Sequence, residues 1–179
     1  WHFFFVLPIQ KFIQGSVSSH EWQIILWAST EELMKYLAVI VILWKTVYVD
    51  EPLDWPIFLI TAALGFAALE NTLFLIKPFS LGEITVGLLT GQLRFLGSTL
   101  LHAVSSGIIG ISMGLSFHLG SYIKKLYLLA GISIAIALHS IFNFFIIDNN
   151  GNDFLRVLAF LWVVTIIIML LFEKLRRMQ

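Results

Sequence analysis

The chain has 179 residues and no cysteine. This excludes a disulfide framework, a thiolate nucleophile and a thiolate metal site. Charge is also scarce: 12% of residues are charged, against about 25% in an ordinary soluble domain. The two signs cancel to a formal net charge of zero, so no basic field points to nucleic acid. There is no internal repeat and no low-complexity run. Apolar residues make up 59% of the chain, and the mean hydropathy is +0.91. The sequence therefore reads as a single membrane-embedded domain over residues 1–179. The first residue is Trp rather than Met, so the chain is expected to begin inside a longer protein, with any signal or first span upstream.

A helical span needs about 20 mostly apolar residues. Five segments qualify, at about 22–48, 55–76, 94–117, 126–147 and 154–172. The expected fold is all-α, a polytopic membrane bundle of about five transmembrane helices around a polar cavity. Residues 1–13 are apolar but short and contain Pro8, which fits the end of a truncated span or an interfacial piece. Residues 81–93, LGEITVGLLTGQL, are too polar to span and are expected to be interfacial or re-entrant. A polar turn is expected at 148–153, DNNGND. With alternating spans, one side of the membrane receives Lys45, Lys124, Lys125, Lys174, Arg176 and Arg177. The other receives Lys11, Lys77, Arg94 and Arg156. The excess on the first side marks it as cytoplasmic.

Against this apolar background, ionisable groups sit inside the spans: Glu31-Glu32 with Lys35, Glu70-Asn71, His102, and His139 with Asn143. A charged side chain near the bilayer centre costs roughly 2.5–3.5 kcal/mol on insertion scales. Such groups must therefore bury against one another or in a wet cavity. At a rise of 1.5 Å per residue, all four clusters fall about 9–14 Å below the same outer face. A shared site is the economical explanation. Pairs four apart share a helix face: Glu31 and Lys35, Phe66 and Glu70, His102 and Ser106, His139 and Asn143. The third span continues its strip as Arg94, Ser98, His102, Ser106, Gly110 and Gly114, and its small residues also suit close helix packing.

Plain structural readings stand beside this. Glu31 with Lys35 could be an ion pair along one helix. His102 or His139 alone could be an interhelical hydrogen-bonding group. Glu70 lies in GFAALENTLFLI with no basic neighbour in sequence, so its partner must come from another helix. His2, His20 and His118 lie near span ends and read as ordinary.

The motifs EELMK (31–35), FAALEN (66–71), HAVSSG (102–107) and HSIFN (139–143) resemble the PrsW family of intramembrane proteases, which is similar to the wider group of CAAX-prenyl endopeptidases and bacteriocin-processing proteins. In that wider group the second motif usually carries a His where this chain has Glu70. Arg94 matches the basic residue ahead of the first His of the family pattern. The resemblance implies an endopeptidase that cuts other membrane proteins, with site-one cleavage of a single-span anti-sigma factor as the associated role. It implies a bacterial inner membrane and an active site opening to the extracytoplasmic side.

Peptide hydrolysis in this chain needs an activated water, since no Cys is present and no Ser stands in a triad with His and Asp. Desolvation makes a carboxylate a better general base. The catalytic set read from the sequence is Glu31, Glu32, Glu70, His102, His139 and Asn143, supported by Lys35, Asn71 and Arg94. Glu31 is the expected base, and Glu32 orients it or pairs with Lys35 or Arg94. Glu70 and His102 hold the water or protonate the leaving amine. His139 and Asn143 donate to the oxyanion. Asn71 fixes Glu70 or the substrate backbone. No cofactor is favoured. The alternative is Zn²⁺ held by Glu70, His102 and His139 with water in the fourth position, although the chain lacks HExxH. Other classes stay open. A proton-coupled transporter also uses intramembrane Glu and His, and a non-catalytic membrane protein could keep the fold.

Overall fold

The computed structural model describes the backbone of residues 2–148 and 154–178, and their side chains except at 2–5, 86, 90, 93, 94, 147, 148 and 154. The expected polar turn, from residue 149 on, and the side chain of Arg94 lie outside the described residues. The described elements are helices: α1 (His2–Ser16), α2 (His20–Ile42), α3 (Asp54–Ser80), α4 (Ile84–Leu115), α5 (Ser121–Asp148) and α6 (Phe154–Arg176).

Among the described residues, four segments are long and apolar enough to cross a membrane: Asp54–Ser80, Phe95–Leu115, Ser121–Ile146 and Leu155–Arg176. α2 has the length, at 23 residues, but carries Glu31, Glu32 and Lys35 in its middle. The span expected at 22–48 is thus marked down by the residues that build the site. It also ends sooner than expected. The chain leaves the helix after Ile42 and turns at Lys45, whose φ is 61°. The segment 81–93 differs more. It is not a separate piece, because α4 runs continuously from Ile84 to Leu115. Hydropathy registers depth in the bilayer, and a helix can continue beyond the hydrocarbon. Gly82, at φ 75°, closes the short turn between α3 and α4 in the left-handed region that suits glycine.

α4 is the central helix. Of its span, 61% is buried inside the protein, against 17% for α6. It packs on α2, α3, α5 and α6. The lower half of its small-residue strip explains the close approach of α3. A Cβ at Gly110 would lie 2.3 Å from Pro56 Cα, and one at Gly114 would lie 2.4 Å from the Pro52 carbonyl oxygen. In a bilayer, where lipid is as apolar as Leu, such contacts rather than water exclusion hold helices together. Beneath the polar cluster, Val39, Leu59, Ile109 and Ala135 form a buried layer with one residue each from α2, α3, α4 and α5. This layer closes the floor of the site. Leu101, Leu138, Phe142 and Leu161 pack α4, α5 and α6 together.

Candidate active site

Neighbouring residues on a helix diverge by about 100°, and α2 uses this to send Glu31 and Glu32 to different places. Glu32 is fully buried between α4 and α5. It accepts from Lys35 Nζ at 2.5 Å, from His139 Nδ1 at 2.7 Å and from Ser106 Oγ at 3.2 Å. Glu31 lines a cavity of about 600 Å³. Its Oε1 accepts from the Gln10 amide of α1 at 2.8 Å. Its Oε2 is buried without a hydrogen-bond partner and lies 3.6 Å from His139 Nε2.

Lys35 also approaches His102 Nδ1 at 3.1 Å. An ammonium has donors only, so Nδ1 accepts and the ring proton sits on Nε2. That nitrogen donates to Glu70 Oε2 at 3.2 Å. Glu70 also accepts from Ser98 Oγ at 3.1 Å. A directed chain therefore runs from Lys35 through His102 to Glu70. His139 has the opposite sense: its Nδ1–H is held by Glu32, which leaves Nε2 facing Glu31. The rings of His102 and His139 meet edge to face at 5.1 Å. Phe66 stacks edge-on to His102 at 5.2 Å and lies 5.3 Å beneath the Lys35 ammonium. These contacts restrict both partners of the central lysine–histidine pair.

Three of the groups have the spacing of metal ligands. Ligand-type atoms of Glu31, His102 and His139 lie within 4.8 Å of one another. The alternative metal trio read from the sequence has Glu70 where Glu31 stands here. Glu31 comes from α2, and Glu70 of α3 bonds His102 Nε2.

Asn143 lines the cavity, one helical turn from His139. Asn71 donates to Thr99 Oγ1 at 3.0 Å, which ties α3 to α4. The sequence reading missed Gln10. Its backbone carbonyl accepts from Trp27 Nε1 at 3.3 Å, so the residue is held at both ends. The available signal was the polar strip Gln10, Lys11, Gln14 in an otherwise apolar helix, and all three line the cavity.

A family model described as PrsW family intramembrane metalloprotease matches residues 3–172. The protein named Protease PrsW from Shouchella clausii (strain KSM-K16) is 28% identical over 146 residues, covering 79% of this chain. This chain covers 63% of that relative's length. No solved structure matches. The family match spans all four motifs that converge on the cavity, and the chain belongs to the PrsW family of intramembrane proteases.

Proposed function

We propose that this chain is an endopeptidase that hydrolyses membrane-protein substrates at the Glu31–His102–His139 cluster, with a divalent cation such as Zn²⁺ held by these three side chains. The observation that carries the reading is the close trio with a buried, unpartnered Glu31 Oε2. The donor set suits the ion, since zinc takes histidine nitrogen and carboxylate oxygen and keeps an open position in catalytic sites. His139 offers a free Nε2 while Glu32 holds its Nδ1–H, the outer carboxylate arrangement that orients a metal-binding histidine. His102 would offer Nε2 if the Lys35 ammonium passed a proton to Nδ1 as the Nε2 proton moved to Glu70. A bound cation would supply positive charge that polarises the scissile carbonyl and eases deprotonation of water.

The remaining work falls to the chain itself. Glu70, steadied by Ser98, takes a proton from water and returns it to the leaving amine. Asn143 donates to the substrate carbonyl from the cavity wall. Gln10 fixes the rotamer of Glu31 from outside the reacting atoms. The substrate class that fits is a single-span membrane protein, an anti-sigma factor among them, cleaved toward the extracytoplasmic side of a bacterial inner membrane. The excess of Lys and Arg at the opposite end of the bundle supports that orientation.

One observation favours a metal-free reading in which Glu31 alone activates the water. The Lys35 ammonium already puts a positive charge beside His102 and Glu32, and it would repel a second cation. The experiment that separates the two is cleavage of a single-span substrate by purified protein in detergent, together with elemental analysis of bound metal. Near-stoichiometric zinc, lost in His139→Ala and Glu31→Gln, with chelator inhibition reversed by zinc, supports the metal site. Full activity without metal, abolished by Glu31→Gln, supports the second reading. Unchanged cleavage in Glu31→Gln, Glu70→Gln and His102→Ala sinks both.

A further inference from the structure

The bundle carries a second cavity, of about 470 Å³, below the buried floor of the site. It lies between the C-terminal ends of α2 and α4 and the N-terminal ends of α3 and α5. Lys45, Lys124 and Lys125 line it together with Trp44, Trp55 and Phe117. No acidic side chain does. The nearest carboxylates in sequence are Asp50 and Glu51 in the loop after α2 and Asp54 at the start of α3, which accepts from the backbone amides of Asp50 and Glu51. Among the described residues, none of the three lysines has a carboxylate partner. Lys45 stands in the left-handed backbone region, which is uncommon for a residue with a Cβ and is found preferentially at ligand clamps. Three uncompensated cations around one concave space at the end of a membrane bundle have the charge of an anion site.

We infer that this cavity binds the phosphodiester headgroup of an anionic phospholipid. A lipid suits it better than free phosphate because an apolar surface adjoins it: Val41 and Ile42 are each 70% exposed and Val47 87%. Acyl chains can lie along these residues while the headgroup meets the lysines. Trp44 and Trp55 line the same cavity, and such rings are enriched where a bundle meets the headgroups. Basic pockets between helices on the cytoplasmic side are suited to such headgroups. The site is independent of the proteolytic chemistry and faces the opposite side of the bundle.

The test is native mass spectrometry of the protein released from nanodiscs of equal parts phosphatidylcholine and phosphatidylglycerol. Wild type is expected to retain phosphatidylglycerol over phosphatidylcholine. Each lysine near the surface contributes roughly a fivefold preference, so Lys45→Gln/Lys124→Gln/Lys125→Gln should lose at least about tenfold of it. The Lys→Arg triple should keep the preference, as should a Lys11→Gln/Lys77→Gln control at the other end. If the Gln triple does not fold, the three single Gln variants should each show a partial loss. Competition by millimolar inorganic phosphate as strong as that by the lipid would overturn the lipid assignment in favour of a free anion. An unchanged preference in the Gln variants, or equal loss in the control, would overturn the site.

Discussion

Glu32 binds three side chains that come from three helices: Lys35 of α2, Ser106 of α4 and His139 of α5. It has no access to the cavity, so its work is to hold charge and orientation. Removing one partner of a buried ion pair strands the other, which typically costs about 3–5 kcal/mol, whereas replacing both with apolar groups is far milder. Glu32→Leu and Lys35→Met should each destabilise strongly in detergent-titration unfolding, and the double variant should lose less than either sum predicts. Additive losses would mean that the pair does not couple. Gln10 gives a contrasting case at the same scale. Outer residues that orient ligands typically change activity by about 10–100-fold when removed. Gln10→Leu should lower kcat by that order while the unfolding midpoint hardly moves. A loss of stability with no loss of rate would reduce Gln10 to a helix anchor. Glu31, Glu70, His102 and His139 were legible in the sequence because ionisable groups in apolar spans are conspicuous. Gln10 was not, because its partner lies 21 residues away on another helix and an amide in a short helix has no such contrast.

Among the elements, α3 and α4 form the closest pair, and glycine sets their distance. Gly110→Val drives a side chain into the Pro56 backbone, where no flexible group can yield. The variant should separate α3 from α4 and unfold at markedly lower temperature, with a cost of roughly 1–3 kcal/mol or more. Gly65→Ala is the counterpart. No atom lies within 4 Å of the added Cβ, and alanine in a helix interior is favoured over glycine by about 0.5–1 kcal/mol. It should raise the midpoint slightly. A fall would show that the helix face at Gly65 is not open. Helix identity was legible from apolar runs, whereas helix ends were not. Trp44, Val47 and Tyr48 are apolar and extended the apparent first span, yet the chain turns there, because an interfacial residue needs no helix to meet lipid. Residues 84–94 lost their helical reading for the opposite reason: Gly and Thr lower hydropathy more than they oppose a helix packed on a neighbour.

At the scale of the whole molecule, the site cavity and the lysine-lined cavity are separated by an apolar layer of Val39, Leu59, Ile109 and Ala135. They should open on opposite faces of the membrane. The chain has no cysteine, so single introduced thiols report on this without background. Gln14→Cys, in the wall of the upper cavity, should react with a membrane-impermeant maleimide from the side opposite to Lys124→Cys. Labelling of both from one side would break the assignment of the two ends. Convergence of four helices on one polar layer was anticipated from depth alone, but the order of partners inside that layer follows from side-chain directions that no spacing reveals.

α1 packs mainly on α2, with Val6 reaching Phe66 of α3, and it supplies Leu7, Gln10, Lys11 and Gln14 to the cavity. It borders the proposed catalytic groups while standing outside the four helices that hold them. Divergence in this short segment can therefore retune which sequences are admitted without disturbing the inherited machinery. Exchanging α1 between relatives becomes a direct route to grafting one protease's preference onto another.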